Sequence, residues 1–205
     1  MEIRKNIIVN TTTKRMTSGM STKISKSKTK IHRKVSLPTC KAVFRFTERV
    51  VRMGTLQQFS MARGYTLSRI KQAEEHAWDA QPEGFSNTIR WNVGHIYTFT
   101  EDFLNRAMNE YPVDKPEWAE FFAPGTSPST WPSIPPSEEE LVAAMKDQGK
   151  RISQLTEQQL AHRLSTPLSI GKLLTMETVE EVLQLLTWHE GMHAGLIDGL
   201  LKVTK

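Results

Sequence analysis

At 205 residues, 38% of them hydrophobic, the chain has room for one domain with additional segments or for two small ones. Its net charge of +5 is unevenly divided: residues 1–52 carry 14 Lys and Arg against two acids, while residues 53–205 carry 13 against 20, so the second part loses the electrostatic case for nucleic-acid binding. The lone cysteine, Cys40, excludes an intramolecular disulfide and a cysteine-rich metal site; with no run of about 18 apolar residues to span a membrane, the expected setting is a reducing compartment, the cytoplasm.

Residues 1–40 are rich in Lys, Arg, Ser and Thr and show little hydrophobic periodicity, so residues 1–52 are expected to form a disordered basic extension ahead of a domain over 53–205. Such a segment can act as a transit peptide or as a basic arm for nucleic acid or anionic lipid. A third reading places the true start at Met53, since Glu48-Arg49 is compatible with a purine-rich ribosome-binding sequence just upstream. The domain then opens with a first helix from Thr55 to Trp78, on Leu56, Phe59, Leu67 and Ile70, weakened by Gly64. His76 near its end reads as a partner of the helix dipole.

Gln81-Pro82-Glu83-Gly84 is a turn, after which Ser86 or Asn87 caps a second helix running to about Asn109. Trp91, His95, Thr98, Phe99 and Asp102 share one face of it. Residues 110–136 hold seven prolines with Trp118, Phe121, Phe122 and Trp131, the composition of a long crossover anchored by its aromatics. Ser137 and Glu140 form a capping box that opens a third helix through about Leu155, with Leu141, Ala144, Met145 and Ile152 on its apolar face. A short helix over 156–164 and an irregular or short extended link over 166–175 lead into the last helix. No strand signal of note appears.

That last helix, Thr178 to Lys202, starts on a second capping box, Thr178 with Glu181. Val182, Leu185, Leu186, His189, His193, Leu196, Ile197 and Leu200 recur at three- and four-residue spacing, so two imidazoles one turn apart share the apolar stripe. Buried imidazoles need partners, and a metal ion and a pair of satisfied core histidines are both open readings. His189-Glu190-Gly191-Met192-His193 also matches the H-E-x-x-H signature with Glu190 as general base. The twelve residues after His193 contain no His or Glu, and Asp198 lies off the histidine face, so a zincin has no third ligand there. His95, on the inner face of the second helix, is the natural candidate.

The segments NTIRWNVGHIYTFTEDFL (87–104) and WHEGMHAGLIDGLL (188–201) resemble the DinB/YfiT-like family of metal-binding proteins, and the resemblance spans roughly residues 53–203. It implies an all-α fold, an up-down-down-up four-helix bundle with a long Pro-rich crossover. It also implies that His95, His189 and His193 hold a divalent ion such as Zn, Ni or Fe. Members of the family include S-transferases and isomerases that use bacillithiol, mycothiol or glutathione, so the expected function is transfer of a small thiol to a small-molecule electrophile. The alternative is a non-catalytic metal-binding or stress-related module. Glu190 is the candidate catalytic base and a homodimer is among the expected assemblies, whereas neither a nucleic acid nor a membrane is an expected partner.

Overall fold

The computed structural model describes residues 40–205, with side chains from residue 54 onward. The elements in chain order are α1 (Cys40–Ile70), α2 (Glu75–Trp78), α3 (Ile89–Ala107), α4 (Ala119–Phe122), α5 (Glu138–Ser153), α6 (Glu157–Leu160), β1 (Arg163–Ile170), β2 (Leu174–Thr178) and α7 (Val179–Val203). Short 3₁₀ turns at Pro116–Trp118 and Pro128–Thr130 shape the crossover. The expectation for residues 1–39 lies outside the described residues, and the boundary placed at residue 53 falls within α1.

Contacts between the long helices fix their directions. Thr55 meets Glu180, Arg63 meets Glu190 and Arg69 meets Asp198, so α1 and α7 run parallel. Arg90 donates to the Pro136 carbonyl, Gln148 to the Tyr97 carbonyl and Arg151 to Glu101, so α3 and α5 are parallel to each other. Asn92 contacts His193 while Phe99 stacks on His189, so α3 opposes α7. The bundle is therefore up-down-down-up, and the long crossover of residues 108–137 is what allows α3 and α5 to point the same way.

Both expected capping boxes form. Ser137 and Glu140 exchange bonds of 3.2 and 2.8 Å at the start of α5, and Thr178 and Glu181 exchange bonds of 3.3 and 3.1 Å at the start of α7. The cap of α3 is Thr88, whose hydroxyl accepts from the Trp91 N–H at 3.1 Å, rather than Ser86 or Asn87. The first helix ends at Ile70 instead of Trp78. A tight turn closed by Gln72 and Ala73 N–H groups on the Arg69 and Ile70 carbonyls follows, and α2 then carries Ala77 and Trp78 into the core.

The region read as link and short helix contains an antiparallel hairpin, with Leu168 opposite Met176 and Ile170 opposite Leu174. Gly171, at φ 54°, takes the left-handed position its turn requires. Pro167 conceals β1 from a pattern reading because proline is tolerated only where no ladder bond is needed, as on an irregular edge strand. Leu164, Leu168 and Met176 seat the hairpin on Val179, Val182 and Leu183, so it braces the root of α7.

Trp118, Phe121 and Phe122 of the crossover are buried, with Trp131 packed against them. Gly94 makes this possible: a Cβ there would lie 2.4 Å from the Phe122 ring. Without a side chain at 94 the crossover settles directly onto α3, which brings its backbone to His95. Among the described residues no helix is long and apolar enough to cross a membrane.

Candidate metal centre

His95 of α3 and His189 and His193 of α7 come together where the two antiparallel helices cross. Each offers one ring nitrogen within a set whose members all lie within 4.8 Å of one another. The ring centroids are 4.5–5.1 Å apart, and all three residues are buried. Three imidazoles packed this closely gain little from each other, because none is positioned as a donor to the next and protonating one repels the others. The arrangement can hold a divalent ion.

The outer sides of the rings are held in place. The His95 Nδ1–H donates to the Phe122 carbonyl at 2.7 Å, and the His193 Nδ1–H donates to Asn92 Oδ1 at 2.8 Å. Asn92 Nδ2 donates to the Thr88 carbonyl at 2.7 Å, which sets the amide so that its oxygen faces His193. With Nδ1 carrying the proton, Nε2 of both rings keeps its lone pair, the usual outer partnering of a metal-ligating histidine. His189 differs: its Nδ1 is buried with no hydrogen-bond partner among the described residues. An orphaned buried ring nitrogen costs free energy unless something outside the chain satisfies it, so the donor set fits a cation.

Trp91 stacks on His95 at 4.5 Å and Phe99 on His189 at 4.0 Å, so aromatic faces cover two of the three imidazoles. Burial pushes the His95 imidazole below its ordinary range, partly offset by the Phe122 hydrogen bond. Burial, and then the other two imidazoles, push His189 down to about 3; burial and His95 push His193 to about 4. All three are neutral at pH 7, the state a metal requires.

Because these folded-state values lie below the unfolded value near 6.5, the unfolded chain binds more protons in between. Metal-free protein should hold its full stability above about pH 6.5 and lose it as pH falls, by at most about 1.4 kcal/mol per histidine per pH unit. Thermal melts of chelator-treated protein at pH 7.5 and 5.5 check this, with several degrees lost at the lower pH. An unchanged melting temperature would mean that the histidines are not buried as neutral groups.

The other candidates lie elsewhere. Glu190 is fully buried on the α1 side of α7, where Arg63 Nε meets its Oε1 at 2.8 Å, so its carboxylate faces the interior and not the solvent. Arg63 also donates to the Met145 carbonyl at 2.6 Å and to Gln148 Oε1 at 2.9 Å. Gln148 passes the chain on to Glu101 at 2.7 Å, and Glu101 accepts from Arg151 and the Tyr111 hydroxyl. One buried polar network therefore ties α7 to α1, α5 and α3 next to the histidine pair. Asp102, expected on the same face of the helix as His95, lies exposed beside Arg106. His76 is exposed against the Thr204 carbonyl, and Asp198 pairs with Arg69 and Lys202.

Asn92, Gly94, the Phe122 carbonyl and Arg63 escaped the sequence reading. Asn92 had a signal, since it lies three residues before His95 and so on the same side of α3. Arg63 had one too, interrupting the core spacing Phe59, Thr66, Ile70. The carbonyl of Phe122 had none. The sequence model of the DinB superfamily matches residues 58–197, a span that includes all three histidines, Asn92, Arg63 and Glu190. No curated protein matches the chain.

Proposed function

The chain belongs to the DinB superfamily, and on that premise we propose that His95, His189 and His193 hold one divalent ion and that the protein transfers a small thiol to a small electrophile. The observation that supports the reading is the donor set: three neutral imidazoles, two with their Nδ1 protons committed outward and one with a buried orphaned nitrogen. A divalent ion held by these three neutral imidazoles would keep its full charge and would favour a small thiol in its thiolate form near neutral pH.

The protein's own residues supply the frame. Asn92 and the Phe122 carbonyl hold two of the rings in a single tautomer, and Trp91 and Phe99 keep water from the imidazole faces. The chain's one cysteine is Cys40, so none lies between residues 53 and 205 and the transferred sulfur comes from the co-substrate. Glu190 is given no proton-transfer step in this reading; with Arg63 it holds α7 in register.

Cobalt-substituted protein titrated with bacillithiol, mycothiol or glutathione tests the reading. The expected result is a new sulfur-to-metal charge-transfer band in the near ultraviolet with one of the three, and faster conjugation of a model electrophile than without protein. If no thiol produces the band and conjugation is not accelerated, the transferase reading fails and a non-catalytic metal-binding module takes its place.

A further inference from the structure

Three stretches of the chain meet around the histidine cluster, and they are almost without charge. Residues 91–100 of α3 and residues 121–137 of the crossover contain no Asp, Glu, Lys or Arg, and residues 184–197 of α7 contain only Glu190, in a chain that is 24% charged. Glu190 is turned inward to Arg63, so among the described residues of these stretches no charged side chain reaches the surface. The charges that flank them are occupied. Arg90 is held by Asp79 and the Pro136 carbonyl, and Glu101 lies buried against Arg151 and Gln148. Asp102 pairs with Arg106, and Asp198 with Arg69 and Lys202.

The three histidines keep 5–6% exposure, so the cluster opens to solvent, and helical spacing identifies the rim of that opening. On α7, Leu185 stands one turn before His189, Met192 one turn after it and Leu196 one turn after His193. Leu185 is half-buried, whereas Met192 and Leu196 are 43% and 44% exposed. On α3, Phe99 stands one turn after His95, half-buried, and lies nearly flat on the His189 ring. Phe99 and Leu185 both pack on the same part of the core, which places them together at the seam between α3 and α7. The rim is therefore aliphatic on one helix and aromatic on the other.

Such a rim discriminates by charge. A carboxylate, sulfonate or phosphate brought against it loses water and finds neither a cation nor a set of free donors to replace the hydration. A hydrocarbon or aryl group gains from the same burial. Bacillithiol, mycothiol and glutathione are polar along their whole length, so the apolar rim fits the other reactant.

We propose that, given the thiol transfer inferred above, the electrophile is an uncharged, apolar molecule, and that Phe99, Leu185, Met192 and Leu196 select it. With an aryl chloride the transfer forms one carbon–sulfur bond. Chloride leaves with the electron pair of the broken carbon–chlorine bond, and the thiol proton passes to solvent.

Chlorodinitrobenzene and chlorodinitrobenzenesulfonate differ by one negative charge and test the rim directly. Each is conjugated to the thiol that gives the cobalt band, and each rate is divided by the rate without protein. The acceleration of the neutral reagent is expected to exceed that of the anionic one by at least about tenfold. Met192→Lys and Leu196→Lys each place a cation on the rim and should cut this preference at least about threefold. Both positions are exposed enough for a lysine to reach solvent, so zinc content and far-ultraviolet circular dichroism should be unchanged. Lys146→Glu on α5 should leave the preference as it is. Equal acceleration of the two reagents by wild type overturns the proposal, as does a preference that neither rim substitution moves. Binding without thiol separates this outcome from failure of the transferase reading. Dinitrobenzene and nitrobenzenesulfonate carry no leaving group and report on zinc-loaded protein by quenching its tryptophan fluorescence. Tighter quenching by dinitrobenzene that the lysine variants weaken, with no thiol band, keeps the apolar rim and removes the transfer step alone. A thiol band with no preference in either assay keeps the transferase and removes the rim.

Discussion

Replacing Arg63 with leucine is expected to destabilise the folded chain by about 3–5 kcal/mol, the cost of leaving a buried charge without its partner. Glu190 has no access to solvent and its Oε2 already lacks a hydrogen-bond partner, so Arg63 is what compensates its carboxylate among the described side chains. The same substitution strips Gln148 Oε1 and the Met145 carbonyl of their donor. For a chain of this length the loss corresponds to a fall of about 6–20 °C in melting temperature. Replacing both Arg63 and Glu190 with leucine should recover much of the loss, because removing a buried pair together leaves no orphaned charge. Urea denaturation of the two single variants and the double variant measures the coupling. A loss under about 1 kcal/mol for Arg63→Leu would mean that the pair is hydrated and does not hold α1 against α7.

The bundle was legible where hydrophobic spacing and caps agree. Ser137 with Glu140 and Thr178 with Glu181 announced α5 and α7, and His189 and His193 were placed on the inner stripe by their spacing alone. What escaped the reading depends on contacts between distant residues. The break after Ile70 has neither glycine nor proline to mark it and follows from burying Trp78. The hairpin was hidden by Pro167 and by a burial pattern too sparse to alternate cleanly. Polar residues on core stripes, namely Arg63 on α1, Glu101 on α3 and Gln148 on α5, were visible one by one, but only the folded chain shows that they satisfy each other. The Phe122 carbonyl belongs to no side chain, and it reaches His95 because Gly94 lets the crossover lie flat on α3.

Loss of any one of His95, His189 and His193 is expected to abolish tight metal binding. Removing even an outer partner of a ligating histidine costs about 10–100-fold in metal affinity, so Asn92→Ala should fall in that range and the histidine variants beyond it. The effect on Asn92→Ala follows from the 2.8 Å bond that keeps the His193 Nδ1 protonated and its ring oriented. His162, exposed near the start of the hairpin, supplies the control. The most direct measurement is the metal content, by elemental analysis, of purified wild-type protein and of the His95→Ala, His189→Ala, His193→Ala and His162→Ala variants, each dialysed against the same low free-metal buffer. The account predicts one divalent ion per chain in wild type and in His162→Ala, and almost none in the other three. Full metal content in His95→Ala, or none in a well-folded wild-type protein supplied with zinc, nickel or iron, would contradict it.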